Sequence, residues 1–198
     1  MPKKKTLKHP KADEEERNQF TQKLQEYQAQ NRPIVYLDES GFQQDNTRTH
    51  GYSAKGARCY GVFDWHKKAR TNAISTLLNN QLLAVALIEN TINSDVFYAY
   101  TEQILLPELP EKTVLVMDNV PFHKHKNIKM LLNEHGHHIL WLPAYSPDLN
   151  PIEHEWAWVK AVRRFFRLND IDMLFKLCMG VISIEWFMWL IFLKNLIV

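Results

Sequence analysis

The apolar positions of this chain come in short blocks whose spacing alternates between helical and extended. Over residues 11–30, Phe20, Leu24 and Tyr27 recur at i, i+4 and i+7 among polar side chains. That narrow stripe predicts a helix laid along another surface. In "RPIVYLDESGF", Ile34 to Leu37 form an apolar run behind a proline. The run predicts a buried strand that gives way to a turn at Asp38-Glu39-Ser40-Gly41. Between residues 48 and 78, "RTHGYSAKGARCYGVF" and "RTNAISTLL" are short β-rich runs separated by glycines, the pattern of antiparallel hairpins. "NN" then marks a turn before a further strand, "QLLAVALIE".

In the second half the helical period returns. "NSDVFYAYTEQILLPEL" predicts a helix capped by Asn93 or Ser94, with Phe97, Tyr100, Ile104 and Leu105 on one side. "KTVLVMDN" is an apolar strand ending in Asp118, "HKNIKMLLNEHG" a short helix stopped by Gly136, and "HHILWLP" another strand. Pro143, Pro147 and Pro151 punctuate "LPAYSPDLNPIEHEW". Asn150 is placed as the cap of the next helix, Pro151 as its first residue, and the helix continues to about Arg167. Hairpins combined with crossovers predict an α/β fold, a mixed sheet flanked by helices. Ligands of such sheets sit beyond the carboxyl ends of strands, where both aspartates fall.

Composition narrows the class. The chain has 198 residues, 45% apolar and 23% charged, enough for one domain with a substantial core. A formal net charge of +2 does not by itself indicate nucleic acid, so local charge carries the information. Two cysteines, Cys59 and Cys178, are too few for a disulfide framework and agree with a reducing, cytoplasmic setting. The basic start, "MPKKKTLKHPKADEEER", lacks the apolar stretch of a secretory signal. Residues 177–193 are almost wholly apolar but carry Glu185 near the middle. They fall short of the roughly 20 residues of a membrane helix, so a span is disfavoured.

Three acids carry the candidate chemistry. Asp38 and Asp118 end apolar strands, where an unpaired carboxylate is costly and invites a cation. With a third acid from the helix after Pro151 they would form an all-oxygen site of the kind magnesium or manganese accepts. A pair of ions there suits phosphodiester chemistry. Glu153 is the first choice for the third acid and Glu155 the second. Each acid alone has a plainer reading, as turn chemistry for the aspartates and a capping box from Asn150 to Glu153. On a helical wheel Lys160, Arg164 and Arg167 lie on the side of Glu153, whereas Trp158, Val159, Val162, Phe165 and Phe166 lie opposite and are expected in the core. A basic stripe headed by an acid suits a metal ligand facing a polyphosphate backbone.

"YLDESGF", "VMDNVPFHKH" and "LPAYSPDLNPIEHEWAWVK" together resemble the catalytic domain of mariner-type transposases. The likeness is greatest to the bacterial insertion-sequence branch, the DDE superfamily endonucleases. It covers about residues 1–165, and 34 residues separate Asp118 from Glu153. The resemblance implies a ribonuclease H-like fold, a pair of Mg2+ or Mn2+ ions held by Asp38, Asp118 and Glu153, and DNA cleavage and strand transfer at element ends. It marks Asn119 and His123 as supporting residues: Asn119 to orient Asp118 or meet the metal shell, His123 to bond a carboxylate or a phosphate. Lys67, Lys68, Arg70, Lys124 and Lys126 join Lys160, Arg164 and Arg167 as expected DNA contacts, with Trp65 as a stacking candidate. "HGHH" at 135–138 does not have convincing zinc spacing.

The expected organisation is a basic segment and helix over 1–32, a catalytic domain over 33–170 and an atypical apolar tail over 171–198. The tail reads as a degraded or frame-shifted end. With no room before residue 32 for helix-turn-helix modules, recognition of element ends is expected from a separate chain, such as an upstream reading frame, with this chain a homo-oligomer on DNA near the nucleoid. The opposing expectation is an inactive remnant that only binds DNA or a partner transposase.

Overall fold

The structure, a computed structural model, describes residues 9–43, 52–60, 70–123 and 126–183. Its elements are α1 (Glu14–Ala29), β1 (Ile34–Gln43), β2 (Arg70–Leu78), β3 (Gln81–Ile88), α2 (Ser94–Tyr100), α3 (Leu106–Glu108), β4 (Val114–Met117), α4 (Lys126–Glu134), β5 (His138–Trp141), α5 (Ile152–Phe166) and α6 (Ile171–Cys178). The sheet runs β3-β2-β1-β4-β5. The β1–β2 and β2–β3 pairs are antiparallel, and β4 is parallel to both β1 and β5. This is the predicted mixed sheet.

Strand alternation assigns the two faces. Val35 and Leu37 face one side with Leu115 and Met117, where Phe97 and Leu105 and Ile128 and Leu132 of α4 cover them. Each such fully buried side chain contributes roughly 1.5–3 kcal/mol. Phe42 faces the other side, under Ile152, Trp156 and Val159 of α5 and Ile171, Leu174 and Phe175 of α6. There the α1 stripe of Phe20, Leu24 and Tyr27 lies on Val114, Val116, Leu140 and Leu142, as its spacing predicts. Arg17 of α1 also grips Asp148 with two bonds of 3.0 and 2.6 Å. The helix α6, part of the expected atypical tail, thus belongs to the core. Residues 184–198 lie outside the described residues, and among those described no helix is long and apolar enough to cross a membrane.

Five local expectations are corrected. First, β1 does not turn at Asp38. It continues to Gln43, because β2 supplies backbone partners from Leu77 opposite Tyr36 to Arg70 opposite Gln43. Second, residues 52–60 contain no strand; the hairpin is β2–β3, closed by Asn79 and Asn80, both at positive φ, as a type I′ turn requires. Third, Asn93 caps α2 as expected, but the helix continues through a π-helical turn over Thr101–Leu105, and Ile104 is exposed while Thr101 and Leu105 are buried.

The fourth and fifth corrections concern α5. Its buried stripe is Ile152, Trp156, Val159 and Arg163, at i, i+4, i+7 and i+11, while Trp158 and Phe165 are exposed. An arginine in the stripe hides it from a hydrophobic pattern. Arg163 is accommodated because its guanidinium donates to the carbonyls of Leu168 and Gln43. Nor does the Asn150 side chain cap α5. The 3-10 turn Pro147–Leu149 runs almost directly into the helix, and Pro151 stands at the cap position in helical conformation. Only the Asn150 backbone carbonyl accepts, from the Glu153 amide at 3.2 Å, and its buried Oδ1 has no donor.

Candidate active site

The pairing of β1 with β4 sets Tyr36 beside Val116. Two residues further along β1 comes Asp38, and Asp118 is the first residue after β4, close enough for its charge to act on Asp38. Here β4 ends and its chain turns away, while β1 continues on β2. Asp38 therefore sits in mid-strand, at the point where its β4 neighbour has stopped. Asp118 follows the carboxyl end of β4, where sheets of this kind carry their ligands.

Asp38 is largely buried, and Trp156 Nε1 donates to its Oδ2 at 3.1 Å. Burial first, and then the negative charges of Glu153, Glu39 and Asp118, push its carboxyl up to about 7. Asp118 is held differently. Its Oδ1 lies 2.8 Å from His123 Nδ1. The approach is a charge contact rather than an aligned hydrogen bond, since this buried oxygen has no well-directed donor. The other ring nitrogen of His123 meets Glu39 Oε1 at 2.7 Å. Burial pulls the His123 imidazole down, but its contacts with the Asp118 and Glu39 carboxylates outweigh that and lift it to about 9.

Glu153 is exposed in the first turn of α5. It acts on Asp38 through its charge, and its carboxylate makes no hydrogen bond to the described residues, so the capping-box reading does not hold. Glu155 lies elsewhere, near Cys178, whose thiol is pushed up to about 11 by burial and by that charge. This separates the two candidates for the third acid: only Glu153 contributes to the field at Asp38. No three acid, histidine or cysteine side chains among the described residues are gathered to hold one metal ion. The donor chemistry nevertheless fits a divalent cation. Asp38 is a carboxyl raised first by burial and then by the charges of Glu153, Glu39 and Asp118, which is a demand for positive charge that a cation would meet.

Of the expected DNA contacts, Arg70, Lys160 and Arg164 converge with Arg163 on a pocket of about 350 Å³ that no carboxylate among the described residues lines. The Arg70 guanidinium fills the space that a Cβ on Gly41 would need, and the Lys160 ammonium lies 5.8 Å from the Phe42 ring centroid. Arg167 ends α5 in left-handed conformation and Lys126 begins α4, both exposed. Asn119 is exposed and lines a groove between α1 and β5, without a bond to Asp118. Lys67, Lys68, Lys124 and Trp65 lie outside the described residues. Within "HGHH", His135 and His138 are exposed and His137 is buried, its imidazole pulled down by burial.

Sequence reasoning missed Glu39 and Trp156. The period-2 alternation of β1 was the available signal for Glu39, because it puts that carboxylate on the buried face opposite Asp38. For Trp156 the signal was its position, one helical turn beyond Ile152.

Comparison with known proteins agrees with this fold. Residues 33–174 match the family described as DDE superfamily endonuclease. The Tcb2 transposase of Caenorhabditis briggsae is 39% identical over 62 residues, which are 31% of this chain and 23% of that protein. A pre-cleavage Mos1 transpososome superposes with a TM-score of 0.62 at 18% identity, over 81% of this chain and 53% of the Mos1 chain. The Mos1 catalytic domain with raltegravir and magnesium gives 0.60 at 18% identity, over 86% of this chain and 82% of that one. The chain thus spans about half the length of the full Mos1 chain. At these identities the Mos1 likeness shows the ribonuclease H-like fold. With the family match covering most of its length, the chain belongs to the DDE superfamily endonucleases.

Proposed function

We propose that this chain is the catalytic domain of a transposase of the bacterial insertion-sequence branch, cutting DNA at element ends and joining the freed 3′-hydroxyl to a target. The observation that carries the reading is the buried Asp38 carboxyl on β1, which feels the negative charges of both Glu153 and Asp118, the residue that follows the adjacent parallel strand β4. These three carboxylates are the residues that would hold divalent ions, with magnesium, which accompanies the Mos1 catalytic domain, as the first choice and manganese as the second. When bound, a pair of such ions activates the attacking oxygen and stabilises the leaving one.

The protein's own part is placement. Arg70, Lys160 and Arg164 take backbone phosphates, with Lys126 and Arg167 as outlying contacts. Lys160 is seven residues along α5 from Glu153, a rise of roughly 10 Å, so a strand held at the basic pocket passes the acids. Duplex DNA is the substrate, and a homo-oligomer on paired ends is the working state.

The test is nicking of a labelled duplex by purified protein with and without magnesium or manganese. Asp118→Asn and Glu153→Gln should each reduce metal-dependent nicking at least 100-fold. Undiminished cutting by either variant would overturn the assignment. A second reading, a remnant that binds DNA without cutting it, is favoured by the position of Glu153, which reaches Asp38 only through space. Under that reading DNA affinity is indifferent to loss of the acids and the protein takes up no manganese.

A further inference from the structure

We propose that Glu39 and His123 form a buried positioning pair that fixes the Asp118 carboxylate from behind the sheet and so sets the metal affinity of the site. The inference rests on the metal-dependent reading above and extends it to two residues that need not touch the ion.

Neighbouring residues of β1 point to opposite faces. Asp38 therefore lies on the face of Phe42, and Glu39 enters the opposite core beside Val35 and Leu37. A carboxylate on that face is costly unless it is paired. Its partner is His123, whose side chain is fully buried. Phe97 and Phe122 pack on the ring at centroid distances of 4.3 and 4.4 Å, so it has little freedom to turn.

Each ring nitrogen then faces a carboxylate: Nε2 meets Glu39 at 2.7 Å and Nδ1 stands 2.8 Å from Asp118 Oδ1. The same Nδ1 also meets the Asp118 backbone carbonyl at 3.4 Å, so the ring touches Asp118 at both main chain and side chain. The contact buries Oδ1, yet the Asp118 side chain remains 43% exposed. Oδ2, its other oxygen, is thus the one free to serve a cation. Outer groups that orient a ligand in this manner commonly change metal affinity 10- to 100-fold when removed.

A histidine present only to fill the core would leave metal binding unchanged. A histidine acting only by its charge would oppose a cation, so its loss would tighten binding. Positioning predicts the reverse, and this separates the three. Free Mn2+ is measured by electron paramagnetic resonance in titrations of the full chain, with wild type, Asp118→Asn, Glu39→Gln and His123→Gln compared and folding checked by thermal unfolding. Expected are tight uptake by wild type, loss in Asp118→Asn, and about tenfold or more weaker uptake in both His123→Gln and Glu39→Gln. Nicking by the last two should recover as Mn2+ is raised. Should His123→Gln fail to fold, Glu39→Gln, nearly equal in shape, carries the test. Wild-type affinity, or tighter binding, in the folded variants overturns the inference while the proposed function stands. Absence of Mn2+ uptake by wild type overturns both.

Discussion

Trp156 is only 2% exposed, yet its indole N–H reaches a carboxylate of the site, Asp38 Oδ2, at 3.1 Å. One residue thus joins the second core to the chemistry. Phenylalanine in its place retains much of the apolar body but removes the N–H. Hydrogen bonds to charged groups contribute about 1.5–3 kcal/mol, and the lost volume leaves a small cavity. Trp156→Phe is expected to lower Tm by several degrees and nicking by about tenfold or more. Trp158→Phe, two residues on at an exposed position, is expected to leave both within error. Calorimetry and the nicking assay on the two variants check this, and equal behaviour of the pair would remove Trp156 from the site.

At the scale of elements, α1 and the segment leading into α5 are tied together. Arg17 binds Asp148 through both terminal guanidinium nitrogens, and Asp148 lies in the turn Pro147–Leu149 that precedes α5 and Glu153. Both side chains are mostly shielded, at 8% and 28% exposed. Loss of one partner should cost about 1–3 kcal/mol. Arg17→Met is expected to speed hydrogen exchange of amides at 144–150 while those of β1 and β4 stay protected; uniform change across both regions would contradict a local anchor. The α1 stripe and the α4 stop at Gly136 were readable because their apolar and glycine signals are uninterrupted. The inner face of α5 was not, since Arg163 occupies a core position by satisfying backbone carbonyls, which no hydrophobic pattern reports. The extent of β1 was hidden for a related reason. Asp38 to Gly41 resemble a turn by composition, and only the partner strand β2 shows that their backbone groups are paired.

At the scale of the molecule, strand order decides which acids meet, and periodicity carries little of that order. Asp38 and Asp118 were legible singly as acids after apolar runs. Their grouping with Glu153 came from the likeness of three motifs to a known family. The structure puts Asp38 on β1 and Asp118 just past the adjacent strand β4, and distinguishes Glu153 from Glu155 by the field at Asp38. This concentration of acid has a consequence for stability. Asp38 titrates near 3.9 in an unfolded chain and at about 7 when folded. Between those values the folded state binds the extra proton, so stability falls as pH rises through that window. His123 titrates near 6.5 unfolded and at about 9 folded, so its stabilisation is complete below the lower value and is lost as pH rises through the higher. The two slopes share one sign. Metal-free protein is therefore expected to lose Tm steadily from pH 5.5 to 8.5, and magnesium to raise Tm more at pH 8.5 than at 5.5, because the cation replaces the proton that Asp38 has released. Scanning calorimetry with and without magnesium across that range is the measurement. A flat or rising metal-free profile would show that burial and the neighbouring acids do not raise Asp38 and that His123 is not held by its carboxylates in the folded state, leaving no unmet demand for a cation at Asp38.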